Sequence, residues 1–245
     1  MRVGSSLLPI ARQRTKKANV HNKLAEWFFT AVILLVATAP LTAQQPPAGQ
    51  APNTPAEGDV ILELSRIFAL VGKTGFGHEH GVVGELQSGQ VFLGAKQNAG
   101  KLVFDMKSFD ADSPAARKYV GLQGETDEGT CKQVNDNMRG KDVLNVARFP
   151  TATLAIASAL PMKPAAGSKT PRFELRGTFT LHGVTKEVSL PCEATQTKEG
   201  IRLTTNFTVL QTDYGITPFS KAFGAVGVAN ELRIYGDLII VPHGR

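Results

Sequence analysis

The chain has 245 residues, of which 42% are hydrophobic, 20% charged and 7% aromatic. That balance excludes a disordered chain, a collagen-like repeat and a multi-span membrane protein. The formal net charge is +6, but six basic residues (Arg2, Arg12, Arg14, Lys16, Lys17 and Lys23) precede residue 44 against a single acid, Glu26. From residue 44 onward 21 basic residues face 20 acidic ones, so no nucleic-acid partner is expected, because that function needs a basic patch on the folded domain.

Residues 1–43 read as a signal peptide. A basic, acid-poor stretch leads into the uncharged run Trp27 to Ala37. The run is well short of the roughly 20 apolar residues of a comfortable spanning helix and suits the apolar core of a secretory signal. Cleavage is expected after Ala43, making Gln44 the mature start; Ala39 is a poorer site because Pro40 follows it. No cysteine lies near the boundary for a lipid anchor, and no Arg-Arg pair marks a twin-arginine signal. The competing reading is an uncleaved N-terminal anchor. Either way residues 44–245 are expected outside the cytoplasm, periplasmic or secreted, with no stable membrane span after cleavage. Residues 44–58 are proline-rich and polar, a flexible spacer, and 59–245 is the folded domain.

The domain opens on Phe68 to Leu86, which holds Gly72, Gly75, Gly77, Gly81 and Gly84 and the triplet His78-Glu79-His80. The glycines lack the G-x-x-x-x-G-K-[ST] order of a phosphate loop and open onto no helical pattern, so they read as barrel curvature and turns. Ser88-Gly89 is expected to precede a strand at Gln90 to Leu93. Lys101 to Lys107 alternates cleanly, with Leu102, Phe104 and Met106 on one face. Residues 113–148 break the alternation. Ser113 or Asp112 before Pro114 marks a helix start, and Val134 and Met138 sit at i, i+4 spacing within Thr126 to Met138. One or two short inserted helices are predicted, ending at Phe149-Pro150. A strand resumes at Thr151 to Ala157, carrying Leu154 and Ile156, and Pro161 to Thr170 is a polar loop.

Alternation then returns. Phe173, Leu175, Phe179 and Leu181 face one way, and Glu174, Arg176, Thr178 and Thr180 the other. Val188, Leu190 and Cys192 alternate after a tight His182-Gly183 hairpin. A second hairpin at Lys198-Glu199-Gly200 leads to Ile201, Leu203, Phe207 and Val209. Asp213 to Gly224 is a loop whose tyrosine and phenylalanines either close a barrel mouth or plug the core, and Leu232, Ile234 and Leu238 mark the last strand. Such strands are antiparallel with one dry and one wet face. About eight of them require a closed barrel or a sandwich. The shared dry face is aliphatic, which suits a filled core and a hydrocarbon pocket equally.

The residues able to do chemistry are few. His78 and His80 at x, x+2 point to one strand face, within reach of one metal ion. A polar strand end is the plainer reading, the spacing is not HExxH, and Glu85 or His182 would have to be brought in by the fold. His182 is expected to hydrogen-bond turn backbone. No G-x-S-x-G elbow supplies a nucleophile. Lys221 or Arg139 is a candidate for meeting a charged headgroup. Cys131 and Cys192 leave both a disulfide and two free thiols open.

Three segments resemble one family. Phe179 to Val188, with Leu181-His182-Gly183-Val184-Thr185-Lys186, resembles the L-x-x-H-G-V-T-K-x-V hairpin of the YceI-like family. Asn145 to Thr151 resembles its D-V-x-x-Y-P-x segment, with Phe149 in the tyrosine's place, and Gly227 to Leu238 resembles its final strand. The resemblance spans about residues 60–241. It departs at Phe68 to Leu86, where the family often carries F-x-x-x-H-x-G-x-S-x-V-x-G-x-F, and in a longer 113–148 insertion. What it implies is an all-β fold, an eight-stranded antiparallel lipocalin-like barrel with a short helical insertion. It further implies an exported, non-enzymatic protein that binds an isoprenoid or similar long-chain amphiphile, needs no cofactor and is compatible with a homodimer. The expected lining is Leu102, Phe104, Met106, Leu154, Ile156, Phe173, Leu175, Phe179, Leu181, Leu203, Phe207, Val209, Leu232 and Ile234. The rival functions are an envelope interaction or stress-response module with a filled barrel, and a metal-binding enzyme centred on His78 and His80.

Overall fold

The structure, a computed structural model, describes residues 55–242. The expected signal peptide, its cleavage point and most of the spacer lie outside the described residues. Eight long antiparallel strands carry the fold: β1 (Arg66–Gly75), β2 (His80–Val91), β3 (Gly100–Ala111), β4 (Thr151–Met162), β5 (Arg172–Leu181), β6 (Val184–Gln196), β7 (Ile201–Leu210) and β9 (Val226–Ile240). A two-residue β8 (Ser220–Lys221) pairs only with β9. The order β1-β2-β3-β4-β5-β6-β7-β9 closes through β1–β9 pairing. The fold is thus all-β, a closed eight-stranded antiparallel barrel, and closure leaves none of these strands as a free edge.

The alternation read from the sequence sets the strand faces. Leu102, Phe104 and Met106 on β3 are all buried, as are Ala152, Leu154 and Ile156 on β4. β5 and β6 are joined by the two-residue turn His182-Gly183, with φ of 51° and 79°. That is the left-handed pair a tight hairpin twist demands, and glycine adopts it without strain. One strand differs from expectation. Ser88-Gly89 does not precede a new strand but lies inside β2, after a register shift between Leu86 and Ser88. The extra residue bends the strand rather than ending it.

The insertion between β3 and β4 forms two helices, α1 (Pro114–Tyr119) and α2 (Glu128–Arg139). The Ser113 side chain accepts from the Ala116 N–H with Pro114 in the first turn, and Asp127 accepts from the Thr130 N–H. Each cap satisfies a backbone donor that the helix itself leaves free. α1 lies against the outside of the barrel, where Tyr119 stacks on Phe68 of β1 with ring centroids 3.7 Å apart. Gly81 allows that approach, since a Cβ there would meet the α1 backbone at 2.9 Å. α2 instead packs over the barrel end. Buried Asn135 accepts from the Ala111 N–H and donates to Asp110 and the Ala111 carbonyl.

The opposite end is closed. Val60 bridges Ile240, Asp59 bridges Gln90, and a 3-10 turn follows at Leu62–Leu64. Val60, Val91, Ala99, Ala159, Cys192 and Ile240 are all buried in the main core. Both thiols are free: Cys192 is buried on β6 and Cys131 is half-buried on α2. Among the described residues no helix is long and apolar enough to cross a membrane.

Candidate functional site

The barrel encloses a cavity of about 220 Å³. Every long strand contributes to its lining, from Ile67, Ala69 and Val71 on β1 to Leu232, Ile234 and Leu238 on β9. Along β3 the lining runs from Leu102 to Ala111. Nine residue steps are about 30 Å of strand, or roughly 20–25 Å of depth at the usual barrel tilt.

The lining is almost wholly apolar. Its polar side chains are His80, Asn137, Thr205 and Gln211. Thr205 already donates to the Pro191 carbonyl and Gln211 to the Ala229 carbonyl. The helical insertion supplies one wall of the end opposite the plug: Val134, Asn137 and Met138 of α2, then Val143 and Leu144. Ile216 and Phe219 from the loop after β7 complete it. The loop's aromatics divide: Phe219 borders the cavity, Tyr214 is buried in the main core and Phe223 points into solvent.

Of the expected lining residues, Leu102, Phe104, Met106, Leu154, Leu175, Phe179, Leu181, Leu203, Phe207, Val209, Leu232 and Ile234 border the cavity. Ile156 and Phe173 do not. Both share the inward face, but they lie toward the plugged end, where Ile156 is buried and Phe173 packs against the same core. Period-2 alternation assigns a face and carries no information about depth. The β1 lining went unread because Ile67 to Val71 is apolar on both faces. Phe68 faces outward and is buried under Tyr119, which erases the alternation.

At the mouth the two internal family-like segments meet. The Phe149 ring lies 4.4 Å from the His182 ring, and a Cβ at Gly183 would meet Phe149 at 2.8 Å. His182 hydrogen-bonds through Nδ1 to the Tyr214 carbonyl, so it ties the hairpin to the mouth loop rather than to its own turn.

His78 and His80 are also brought together, with ring centroids 4.4 Å apart. Their third neighbour is neither Glu85 nor His182 but Asp112, at the end of β3; a donor atom from each of the three lies within 4.8 Å of the others. The sequence marked Asp112 only as a helix-start candidate. His80 Nδ1 lies 2.7 Å from Asp112 Oδ2. Oδ1 accepts from the Gly81 N–H at 3.2 Å and from Arg117 Nη1 at 3.1 Å. Burial opposes the charge on Asp112, but the hydrogen bonds from His80, Gly81 and Arg117 outweigh it and hold the carboxyl below its usual range. Burial, then the neighbouring His80, lowers the pKa of His78. Lys221 lies over the Phe219 ring at the mouth, 5.4 Å from its centroid. Arg139 reaches the Lys107 carbonyl.

A YceI-like domain model matches residues 63–239. Among solved structures, a polyisoprenoid-binding domain from Saccharophagus degradans, implicated in plant cell wall breakdown, aligns at 14% identity and a TM-score of 0.51. It covers 77% of this chain and 100% of that one. BcnA of Burkholderia cenocepacia aligns at 17% identity and 0.48, covering 75% and 100%. The Campylobacter jejuni YceI protein aligns at 11% and 0.42, covering 65% and 85%. The Saccharophagus likeness supports the shared fold. No curated protein matches the chain. With most of its length matched by the family model and its barrel closed as described, the chain belongs to the YceI-like domain family.

Proposed function

We propose that the protein is an exported carrier that sequesters a long-chain amphiphile, an isoprenoid or comparable lipid, in the barrel without chemical turnover. The observation that carries this reading is the cavity: deep, apolar on every strand, plugged at one end and roofed at the other by α2 and the mouth loop. Burying apolar surface contributes roughly 25 cal/mol per Å², so a hydrocarbon chain along such a wall gains affinity over its whole length. The Saccharophagus relative is described as polyisoprenoid-binding, which supports the ligand class. The basic leader and apolar run support export. A filled-barrel interaction module is disfavoured by the cavity itself.

Exchange with a lipid phase is supported by two phenylalanines at the mouth end. Phe76 and Phe223 are 91% and 112% exposed. They stand on neighbouring turns joined by the Phe76 N–H to the Ala225 carbonyl. Phe223 has φ of 54°, and Ala222 before it 50°. Left-handed conformations at such residues cost of order 1 kcal/mol or more each, and here they hold an aromatic ring out into solvent.

Native mass spectrometry of the exported protein, followed by organic extraction and lipid analysis, tests the reading. A stoichiometric long-chain amphiphile is expected, and the same spectrum reads the oligomeric state. Protein at its bare mass that also takes up no added isoprenoid lipid would overturn the carrier function.

A further inference from the structure

We propose that the turn between β1 and β2 carries a site for an imidazole-preferring divalent transition ion, such as Zn²⁺, Ni²⁺ or Cu²⁺, ligated by His78 and His80 and organised by Asp112. The site stands independently of what fills the cavity.

Three elements build it. The turn after β1 supplies His78, the first residue of β2 supplies His80, and the residue after β3 supplies Asp112. An ionised carboxylate only accepts hydrogen bonds, so the bond between Asp112 Oδ2 and His80 Nδ1 places the proton on Nδ1. The lone pair of the neutral ring then sits on Nε2. This is the carboxylate–histidine arrangement that fixes the tautomer of a metal-binding imidazole and raises its basicity. The carboxylate is itself anchored: its other oxygen takes the Gly81 N–H and Arg117, and Asp112 is fully buried at the side chain. His80 is therefore pre-oriented, whereas His78 sits exposed on the turn and is free to adjust.

Donor atoms of a tetrahedral zinc site lie about 3.3 Å apart, given metal–nitrogen bonds near 2.0–2.1 Å. A donor atom from each of His78, His80 and Asp112 lies within 4.8 Å of the others, and His78, exposed on its turn, has the freedom to rotate toward His80. Local charge does not forbid a cation. Arg117 balances Asp112, and its remaining N–H groups go to the Gln123 and Gly124 carbonyls and the Thr126 hydroxyl. The other charged groups on this turn and the end of β1 are Glu79 and Lys73, of opposite sign. Two protein nitrogens leave coordination positions open, and His80 also borders the cavity. Water, or a donor group on a bound molecule, would complete the shell.

The experiment is titration of the untagged protein with Zn²⁺ by calorimetry, paired with Cu²⁺ electron paramagnetic resonance. One ion per chain and a spectrum with two coupled nitrogens are expected. His78→Ala lies on an exposed turn and keeps the fold, and should weaken binding at least tenfold. His182→Ala, at a different histidine, should leave affinity and spectrum unchanged. Asp112→Asn should weaken binding roughly 10–100-fold and alter the Cu²⁺ spectrum, a readout that a purely structural role would not move. Equal binding by wild type and His78→Ala, or an Asp112→Asn variant with wild-type affinity and spectrum, would overturn the assignment.

Discussion

Leu154 and Ile156 stand two residues apart on the same inward face of β4, and both are buried, at 5% and 3% exposure. Truncating each to alanine separates a hollow barrel from a solid one. Ile156 pairs with Gly100 on β3 and Gly177 on β5. Its side chain therefore fills space that neither neighbour can reclaim, in the plugged part of the core. Leu154 pairs with Leu102 and Phe179 and borders the cavity. A side chain facing a void has no partner atoms to lose on that side. Large-to-small core changes cost about 2–5 kcal/mol, rising by about 24 cal/mol per Å³ of new cavity. Ile156→Ala should therefore lie near the top, about 4 kcal/mol, and Leu154→Ala near the bottom, about 2.5 kcal/mol. The gap of about 1.5 kcal/mol equals roughly 60 Å³ of void that Leu154→Ala does not newly create. Urea unfolding of delipidated protein measures it, and an unchanged m-value confirms that the denatured state is common to both variants. Equal costs in delipidated protein would mean that the interior is packed, and the reasoning from the cavity would fail.

Two further outcomes follow from the same geometry. Phe76→Ser combined with Phe223→Asn should slow transfer of a fluorescent isoprenoid from vesicles several-fold while changing stability by less than about 0.5 kcal/mol, the usual effect of exposed substitutions. Unchanged transfer would remove these rings from the exchange step. Burial pushes the Cys192 thiol up to about 12 from its ordinary 9.0. The unfolded chain thus gives up that proton first. The stabilisation is complete below pH 9 and is lost as pH rises toward 12, at about 1.4 kcal/mol per unit. Between pH 8 and 10 wild type should lose about 1.4 kcal/mol more than Cys192→Ala, measured by urea unfolding. Parallel losses in the two proteins would show that the thiol is not buried as described.

Much of the mouth was legible in part. Val134 and Met138 at helical spacing announced that one face of α2 was apolar, and Ser113-Pro114 announced where α1 begins. Nothing in the spacing said that α1 would lie on the outer wall against Phe68 and α2 across the mouth. That choice depends on where β3 ends and on contacts such as Asn135 to Ala111, which join residues 24 positions apart. His78 and His80 stood out because they are neighbours in the chain. Asp112 did not, because its partner His80 lies 32 residues away and the two meet only when β2 pairs with β3. Phe149 and His182 belong to motifs visible separately, and their contact exists only once the hairpin and the end of the insertion converge.

Period-2 alternation, hairpin turns and helix caps are local, and the sequence by itself determined them: the faces of β3 and of β5 to β7, a short helical insertion and the antiparallel class. Depth, closure and the meeting of distant residues are not local. Whether an inward residue lies in a cavity or in a plug depends on every strand at once, as Leu154 and Ile156 demonstrate with the same face and the same alternation. The tertiary structure alone decided that the barrel is hollow toward α2 and solid toward Val60. The physical reason is that packing is settled by the sum of facing side chains across eight strands, while the chain encodes each face one strand at a time.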